Sequence, residues 1–359
     1  MNKLIKLVAV TVIIFVAVIW GQTYLPALLP PTPLTSPTVE TPAPSHRFPY
    51  LPVNRGQLWQ HLEQVTGERY RELDRSHTRD YLVQYLENLG FSPTRHPYEN
   101  GGVNIVGEHP GTDPNAGKIL VAAHYDTVPN SPGADDNASG IAGVLEIARI
   151  FSQIETLRTL QIAFFDQEEL GLLGSLAFTG DRDQLKDLQA VIILDMVGYA
   201  CRESGCQKYP EGLAVEPWLK GAGVKAPDQG EFIAVVGDAE HLPLLKIFSQ
   251  VNHQWGETLP PMVTIPIPFK GLLTPDVLRS DHAPFGYQNI GAVLVSDTAN
   301  FRSPHYHQPT DTLETLDQDF LAGVIEQLVN VVNVLLQTRD SYNIKEQRTE
   351  NGEQKLWPS

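Results

Sequence analysis

The chain has 359 residues, of which 42% are hydrophobic, and this content supports one large domain or two with a sizeable core. Its formal net charge of −16 argues against nucleic acid as a partner, because phosphate binding needs a basic surface. The acidic balance suits a soluble domain that is exported from the cell.

The amino end has the pattern of a targeting segment. Lys3 and Lys6 precede an apolar run over residues 7–20, which is short for a membrane span and typical of a signal-peptide core. The next charge is Glu40 and the small-residue cleavage pattern is poor, so an uncleaved anchor is favoured over a cleaved signal peptide in residues 1–24. The lysines predict a catalytic domain that is membrane-anchored and extracytoplasmic, or secreted after cleavage.

Three further segments are distinguished by composition and periodicity. Residues 25–53 are proline-rich and predict an extended linker ahead of a catalytic domain over residues 54–340. Helical periodicity starts at Gln57 and returns over residues 76–89. The polar residues 341–359 predict a disordered tail.

Apolar runs typical of buried strands alternate with helical patterns along the domain. Strands are predicted over residues 103–107, 119–123, 160–165, 191–194, 232–236 and 292–296. Helices are predicted over residues 139–151 and 316–336. The alternation predicts a three-layer α/β/α fold with a mostly parallel mixed sheet covered on both faces.

Acidic and histidine side chains follow the predicted strands closely. His124 ends one strand and Asp126 lies two residues later, where it can orient the imidazole. Asp135 and Asp136 stand at the start of the next helix, where helix capping is the simplest interpretation for one acid but does not require two. Since open α/β sheets build their sites at the carboxyl ends of strands, these groups are expected to converge.

Further candidates follow later strands. Glu168 and Glu169 come shortly after a buried strand, where acids are costly unless paired or bound to metal. One of two adjacent acids can bind metal while the other accepts a proton from water. Asp195 interrupts a core strand, which favours a ligand or ion-pair role. His305 and His307 lie in the loop after the last strand and, taken singly, are typical of surface histidines.

Imidazole and carboxylate are zinc ligands, and a two-zinc hydrolase needs a bridging carboxylate, a histidine and an acid for each ion, and a free carboxylate as base. In this order the set resembles the zinc aminopeptidases of peptidase clan MH, of the bacterial leucyl aminopeptidase type, which are related to glutaminyl cyclases and glutamate carboxypeptidases. The resemblance covers roughly residues 57–336. Its most specific motifs lie at residues 133–140, 165–175, 280–285 and 306–312.

The resemblance implies a zinc exopeptidase fold and two zinc ions, with one ion as the alternative. The implied metal ligands are His124, Asp136, Glu169, Asp195 and His307. Asp136 would bridge the ions, His124 and Asp195 would complete one site, and Glu169 and His307 the other. Glu168 would be the general base, with Asp126 and Asp281 in supporting positions. The Asp136–Asn137 peptide bond would be cis, and manganese or cobalt remain alternatives to zinc.

The implied activity is that of an aminopeptidase acting on peptides, in which Glu168 takes the proton of a metal-activated water. Three alternatives stay open. A glutaminyl-peptide cyclotransferase-like enzyme would use similar ligands with one zinc. A carboxypeptidase would need a cation for the substrate carboxylate, for which Arg202, Arg279 and Arg302 are available. A non-enzymatic binding domain on a peptidase fold is disfavoured because all ligand positions are filled.

Residues beside the predicted ligands are candidates for the substrate pocket. Met196 and Tyr306 are expected to line the pocket for the first side chain. Cys201 and Cys206 lack the neighbouring ligands that a zinc site would need, so in an oxidising compartment we expect a small disulfide loop at the pocket rim, with two free thiols as the alternative. The preferred side chain, the natural substrate and the oligomeric state stay open.

Overall fold

The computed structural model describes residues 48–211, 213–340 and 342, and these belong to one compact unit. The predicted anchor, the linker up to residue 47 and the predicted tail apart from Tyr342 lie outside the described residues. Residues 48–53, at the end of the predicted linker, bond to the last helix of the domain, where the Leu51 amide donates to Asn330 Oδ1 at 3.1 Å. Tyr342 is buried and lies over the guanidinium of Arg158.

Eight strands of the described residues form one sheet in the order β1-β2-β4-β3-β5-β8-β6-β7. They are β1 (Thr94–Pro97), β2 (Val103–His109), β3 (Lys118–His124), β4 (Thr159–Phe165), β5 (Leu188–Leu194), β6 (Ile233–Asp238), β7 (Met262–Ile267) and β8 (Ala292–Ser296). The central strands β4, β3, β5 and β8 are parallel, whereas β2 and β6 pair antiparallel to their neighbours β4 and β8. This mixed, mostly parallel centre confirms the predicted fold class.

Helices cover both faces of the sheet. They are α1 (Arg55–Val65), α2 (Glu72–Asn88), α3 (Gly140–Phe151), α4 (Leu173–Gly180), α5 (Glu216–Gly221), α6 (Leu242–Trp255), α7 (Ala283–Tyr287) and α8 (Gln318–Gln337). Side chains of α1, α2, α3, α6 and α8 share one apolar core with alternate strand residues. The other strand residues pack against α4 and α7 or against α5. Two apolar layers around a buried sheet explain why its central strands are almost continuously hydrophobic.

The closing helix α8 is long and apolar enough to cross a membrane, and among the described residues it is the one helix that meets this test. However, 83% of its apolar window is buried inside the domain. Leu321, Ile325 and Leu328 are fully packed in the main core, as the predicted apolar stripe requires. The helix is therefore a core element of the α/β/α sandwich.

Candidate metal centre

The predicted ligands lie at the carboxyl ends of the parallel strands. His124 is the last residue of β3, Glu168 and Glu169 follow β4, and Asp195 directly follows β5. His307 lies in the loop after β8. Because β4, β3, β5 and β8 are neighbours in that order, four stretches that are far apart in sequence meet at one edge of the sheet.

Asp136 stands in an irregular turn that leads into α3. The sequence predicts a helix from residue 139, but residues 134–139 form a separate turn and α3 begins at Gly140. The Asp136–Asn137 peptide bond is cis. The side chain of Asn137 donates to the carbonyl of Leu194 at 2.8 Å and accepts from the Gly140 amide at 3.1 Å, which attaches the turn to the end of β5.

The carboxylate of Asp136 faces a histidine with each of its oxygens. Oδ1 lies 3.3 Å from Nε2 of His124, and Oδ2 lies 3.2 Å from Nε2 of His307. Asp136 is only 4% exposed, so this carboxylate is held away from bulk water. One carboxylate is therefore shared between two groups of possible metal ligands, here called the ligand groups, one containing His124 and the other containing His307.

Each histidine also faces a second acid. Nε2 of His124 lies 3.6 Å from Asp195 Oδ1, and Nε2 of His307 lies 3.0 Å from Glu169 Oε2. The ligand atoms of His124, Asp136 and Asp195 lie within 4.8 Å of one another, and so do those of Asp136, Glu169 and His307. Imidazole nitrogen with carboxylate oxygen is a donor set that zinc accepts.

The site also needs positive charge. Oε1 of Glu169 is buried and has no hydrogen-bond partner among the described residues. Burial, together with the neighbouring Asp136 carboxylate, raises the pKa of Glu169 to about 7. Burial also lowers the pKa of His307, but hydrogen bonds to Asp136 and Glu169 outweigh burial and raise it to about 10. Glu169 and His307 thus retain protons because several acids are buried close together. Such a cluster fits a site built for divalent cations.

Glu168 lines the cavity but belongs to neither ligand group. Its backbone amide donates to Asp126 Oδ1 at 3.0 Å, and the Glu169 amide donates to Asp126 Oδ2 at 3.2 Å. Asp126 Oδ1 also lies 3.4 Å from Nδ1 of His124, so this buried acid contacts both sides of the site. Burial raises the pKa of Glu168 well above its ordinary range, and the charges of Asp195 and other nearby acids raise it further.

Asp281 is fully buried behind these groups. Burial raises its pKa to about 7, against the opposing charge of His124. Both of its carboxyl oxygens are without a hydrogen-bond partner among the described residues. Asp281 is therefore close enough to His124 and Asp195 to feel their charge, but within the described part of the chain it has no hydrogen bond to a predicted ligand.

The backbone around the ligands is unusual in several places. Gln167 (φ 58°), Met196 (φ 54°) and His307 (φ 58°) all have left-handed backbone conformations. Such conformations persist in residues with side chains only where the surrounding structure imposes them, and they concentrate at functional sites. These three residues lie in the loops after β4, β5 and β8.

A cavity of about 520 Å³ opens beside the ligand groups. Its walls include Val215, Leu219, Phe232, Ile265 and Val277, contributed by α5, the sheet and the loop before α7. Tyr306 lines the cavity as predicted and stacks on the His307 ring with centroids 3.8 Å apart. Met196, in contrast to the prediction, does not line the cavity. It is buried, and its amide donates to Asn137 Oδ1 at 3.2 Å.

The structure joins Cys201 and Cys206 in a disulfide. Neither cysteine lines the cavity, but Lys208 and Tyr209, which follow the disulfide loop, do. The loop is attached to the segment before β6 through backbone hydrogen bonds between Cys201 and Gly230. The disulfide therefore lies behind one wall of the cavity.

The three candidate arginines have different surroundings. Arg279 lines the cavity and donates to the Tyr306 hydroxyl at 2.8 Å. Arg302 is buried and donates to backbone carbonyls, and Arg202 forms surface ion pairs with Glu231 and Asp317. Only Arg279 among these three is placed to meet a substrate anion.

Two buried side chains that were not predicted from the sequence hold the backbone of the site. Asp311 accepts the amides of Asp135 and Asp136 on its carboxylate, at 2.9 and 3.0 Å. Arg69 donates to the Gly133 carbonyl at 3.0 Å. Asp311 lies in one of the quoted motifs and could have been found there, whereas nothing in the local sequence marks Arg69.

The fold is shared with solved enzymes. The LapA aminopeptidase of Legionella pneumophila superposes with a TM-score of 0.61 at 19% identity, covering 80% of this chain and 73% of that one. The glutaminyl cyclase of Porphyromonas gingivalis superposes with a TM-score of 0.58 at 21% identity, covering 79% of this chain and 98% of that one. At identities this low, the two superpositions establish a common fold and nothing more.

Sequence relatives lead to the family. The uncharacterized protein YfbL of Escherichia coli (strain K12) is 29% identical over 255 residues, 66% of this chain and 71% of that protein. Aminopeptidase YwaD of Bacillus subtilis (strain 168) is 29% identical over 230 residues, 61% of this chain and 41% of that protein. The family model described as Peptidase family M28 matches residues 104–332, well over half of the chain. The family predicted from the motifs is thus confirmed, and this chain belongs to peptidase family M28.

Proposed function

We propose that this chain is a zinc-dependent aminopeptidase that removes amino-terminal residues from peptides. The observation that carries the proposal is the shared carboxylate of Asp136, whose two oxygens lie 3.3 and 3.2 Å from different histidines. One carboxylate between two imidazole-carboxylate groups suits a pair of ions better than a single ion. Membership in a peptidase family supports peptide-bond hydrolysis as the reaction at this site.

In the proposed centre, His124, Asp136 and Asp195 would hold one zinc ion, and Asp136, Glu169 and His307 would hold the other. When bound, the ions would polarise a water molecule and the scissile carbonyl and stabilise developing negative charge. Asp126 orients His124 through Nδ1 and holds the backbone of the two glutamates.

Glu168 is the proposed general base. Its carboxylate is near the ligands without being one of them, and its raised pKa favours holding a proton. It would accept the proton of the attacking water and deliver it to the nitrogen of the leaving amine. Burial limits access of bulk water to this proton during the reaction.

The cavity supports an apolar first residue in the substrate. Its walls are mostly aliphatic and aromatic, and it adjoins His307 and Glu168. The Bacillus subtilis relative is named an aminopeptidase, which supports cleavage from the amino terminus of the substrate here as well. Arg279, at the cavity wall, is the group that a carboxypeptidase would need, so release from both ends must be compared.

Metal analysis followed by a substrate panel tests the proposal. We expect two zinc ions per chain and release of amino-terminal residues from aminoacyl amides, abolished by chelator and restored by zinc. One ion together with ring closure of an amino-terminal glutamine peptide would favour the cyclase that shares this fold. If the chain bound peptides without metal and did not hydrolyse them, it would instead be a binding domain.

We also propose that residues 1–24 anchor the protein and leave the catalytic domain outside the cytoplasm. Support comes from Lys3 and Lys6 ahead of the apolar run over residues 7–20, all outside the described residues. Membrane fractionation and amino-terminal sequencing test this. An intact amino terminus in the membrane fraction supports the anchor, and a mature start near Gln22 supports cleavage and secretion.

A further inference from the structure

Arg69 is a buried cation that lies outside the segment matched by the family model, which begins at residue 104. It lies in the connection between α1 and α2 and is 2% exposed. Burial lowers its pKa to about 10, so the guanidinium remains charged at neutral pH. A buried charge is tolerated only where it has hydrogen-bond partners, and those of Arg69 all belong to the backbone near the metal centre or α1.

The Arg69 side chain bonds to both ends of one loop. Its acceptors there are the carbonyl oxygens of Tyr125 at 2.9 Å, Pro132 at 3.0 Å and Gly133 at 3.0 Å. This loop joins His124, at the end of β3, to the turn that carries Asp136. The guanidinium is planar and its N–H groups point in fixed directions. It therefore fixes the distance between the backbone that follows His124 and the backbone that precedes Asp136, which are two predicted ligands.

Gly133 allows this close approach. Its φ of +61° is in the left-handed region. A Cβ atom at this position would lie 2.8 Å from Nη2 of Arg69 and 2.3 Å from the carbonyl oxygen of Asp136. Any larger residue would push the guanidinium or the Asp136 turn out of place.

Asp311 holds the same turn from the opposite end of the chain. Its carboxylate accepts the amides of Asp135 at 2.9 Å and Asp136 at 3.0 Å. Its carbonyl accepts the Ala134 amide at 3.2 Å. Three successive backbone amides of the turn thus end on one residue that is 1% exposed.

We propose that Arg69 and Asp311 are positioning residues that fix Asp136 between His124 and His307 for metal binding. The inference rests on the metal centre proposed above and adds to it a residue from outside the family-matched segment. Among the described residues, the hydrogen bonds of both side chains go to backbone groups and not to the imidazoles of His124 or His307, so both act through the backbone of the turn. Groups that orient metal ligands typically change metal affinity by about 10- to 100-fold when they are replaced.

The test is a zinc titration of the full chain against a chelating dye. Arg69→Lys keeps the charge but loses the planar fork, and Arg69→Met removes the charge. Both variants are expected to bind zinc about 10- to 100-fold more weakly than the wild type while keeping a cooperative thermal transition. After cobalt substitution, the visible absorption bands are expected to shift, because the ligand geometry relaxes.

Arg158→Lys is the matched control. Arg158 is another buried arginine that donates to backbone carbonyls, at Thr338 and Asp340, away from the metal centre. We expect Arg158→Lys to lower the melting temperature and leave zinc affinity unchanged. Equal weakening of zinc binding in the Arg158 and Arg69 variants would overturn the positioning role, because loss of any buried arginine would then suffice.

Asp311→Asn decides the question if neither Arg69 variant folds, because it replaces one accepting oxygen with a donor and changes the shape little. Weaker zinc binding in Asp311→Asn supports the proposal. Zinc affinity equal to the wild type in the folded variants contradicts it. A wild-type chain that fails to bind zinc would instead remove the proposed function itself, so the two failures are distinguishable.

Discussion

Glu168 and Glu169 are neighbours in the chain with separate surroundings. Glu169 points Oε2 at His307 from 3.0 Å and belongs to a ligand group. Glu168 lines the cavity and belongs to neither group. Gln167, directly before them, has a left-handed backbone conformation. Adjacent acids in one buried turn can therefore divide metal binding and proton transfer between them.

Glu168→Gln should retain both metal ions and lose nearly all turnover. The amide keeps the size and polarity of the side chain but cannot accept the proton of water at neutral pH. General-base catalysis typically contributes about 10²- to 10⁴-fold, so we expect a fall in kcat of at least ~10²-fold. Metal content and kcat, measured on the same preparation, test this.

Glu169→Gln is the matched comparison for that variant. It changes the neighbouring glutamate in the same way but removes a proposed ligand, so it should lose metal as well as activity. An active Glu168→Gln enzyme, or one that lost its metal, would show that the roles of the two acids are assigned wrongly.

The side chains that converge were predictable because each follows a strand end or lies in a motif. His124 and Asp195 each directly follow an apolar run, and this position is readable from local sequence. Arg69 was not predictable, since it binds carbonyl oxygens 56 to 64 residues away along the chain. Backbone carbonyls carry no sequence signal, so partners of this kind become visible only in the fold.

At the scale of elements, the central strands were predicted well and the edges were not. The predicted β8 has the observed bounds, β3 is one residue longer than predicted at each end, and β4 is one residue longer at its start. β1 and β7 were missed, and both lie at the edges of the sheet. β7 is largely buried, but Thr264 and Pro266 interrupt its apolar residues, and a proline is tolerated in an edge strand but not in a central one. β1 is mostly exposed and has no apolar run.

The disulfide lies within the segment that joins β5 to β6, and later residues of the same segment, from Lys208 to Val215, contribute to one wall of the cavity. We expect that replacing both Cys201 and Cys206 with serine raises KM for bulky apolar substrates by about three- to tenfold and changes kcat less. A looser wall weakens ground-state and transition-state binding alike, and this appears in KM. Steady-state kinetics with a large and a small aminoacyl amide test this expectation.

The small substrate is the internal control, because it needs little of the cavity wall. Its KM should change less than that of the bulky substrate in the serine variant. Equal changes for both substrates, or a fall in kcat alone, would contradict a role for the disulfide in shaping the wall.

For the whole molecule, the acids around the site give folding a distinct pH dependence once metal is removed. Burial raises the pKa of Glu169, Asp281 and Asp311 to about 7. His307 has a pKa raised to about 10 by its acid partners in spite of burial. In all four groups the folded chain holds protons that the unfolded chain has released. Their contribution to stability is therefore present at low pH and is lost as pH rises through the folded pKa values.

Other groups oppose this trend only at lower pH. Burial lowers the pKa of His61 and His282 to about 4, so these histidines favour folding as pH rises through 6.5, their ordinary value, and each adds only about 0.4 kcal/mol above it. Asp136, whose pKa is lowered by its two histidine partners against the effect of burial, stabilises the fold at every pH above its ordinary value of 3.8. A comparison between pH 6.5 and pH 8.5 thus reports mainly on the groups with raised pKa.

We therefore expect the chelated protein to melt several degrees lower at pH 8.5 than at pH 6.5, and added zinc to remove most of this difference. A tenfold difference in proton affinity between the folded and unfolded chain corresponds to ~1.4 kcal/mol, and 1 kcal/mol moves the melting temperature of a large domain by about 2–4 °C. Zinc replaces the protons as the source of positive charge and binds better as its ligands deprotonate. Calorimetry with chelator and with zinc at both pH values measures the effect.

Glu169→Gln attributes the pH effect to the metal centre, because it removes one raised group without adding charge. Its chelated form should lose less stability between pH 6.5 and pH 8.5 than the chelated wild type. If the chelated wild type were equally stable or more stable at pH 8.5, the acids would not be holding protons in place of metal. Any pH dependence that the chelated protein still showed would then arise elsewhere in the domain.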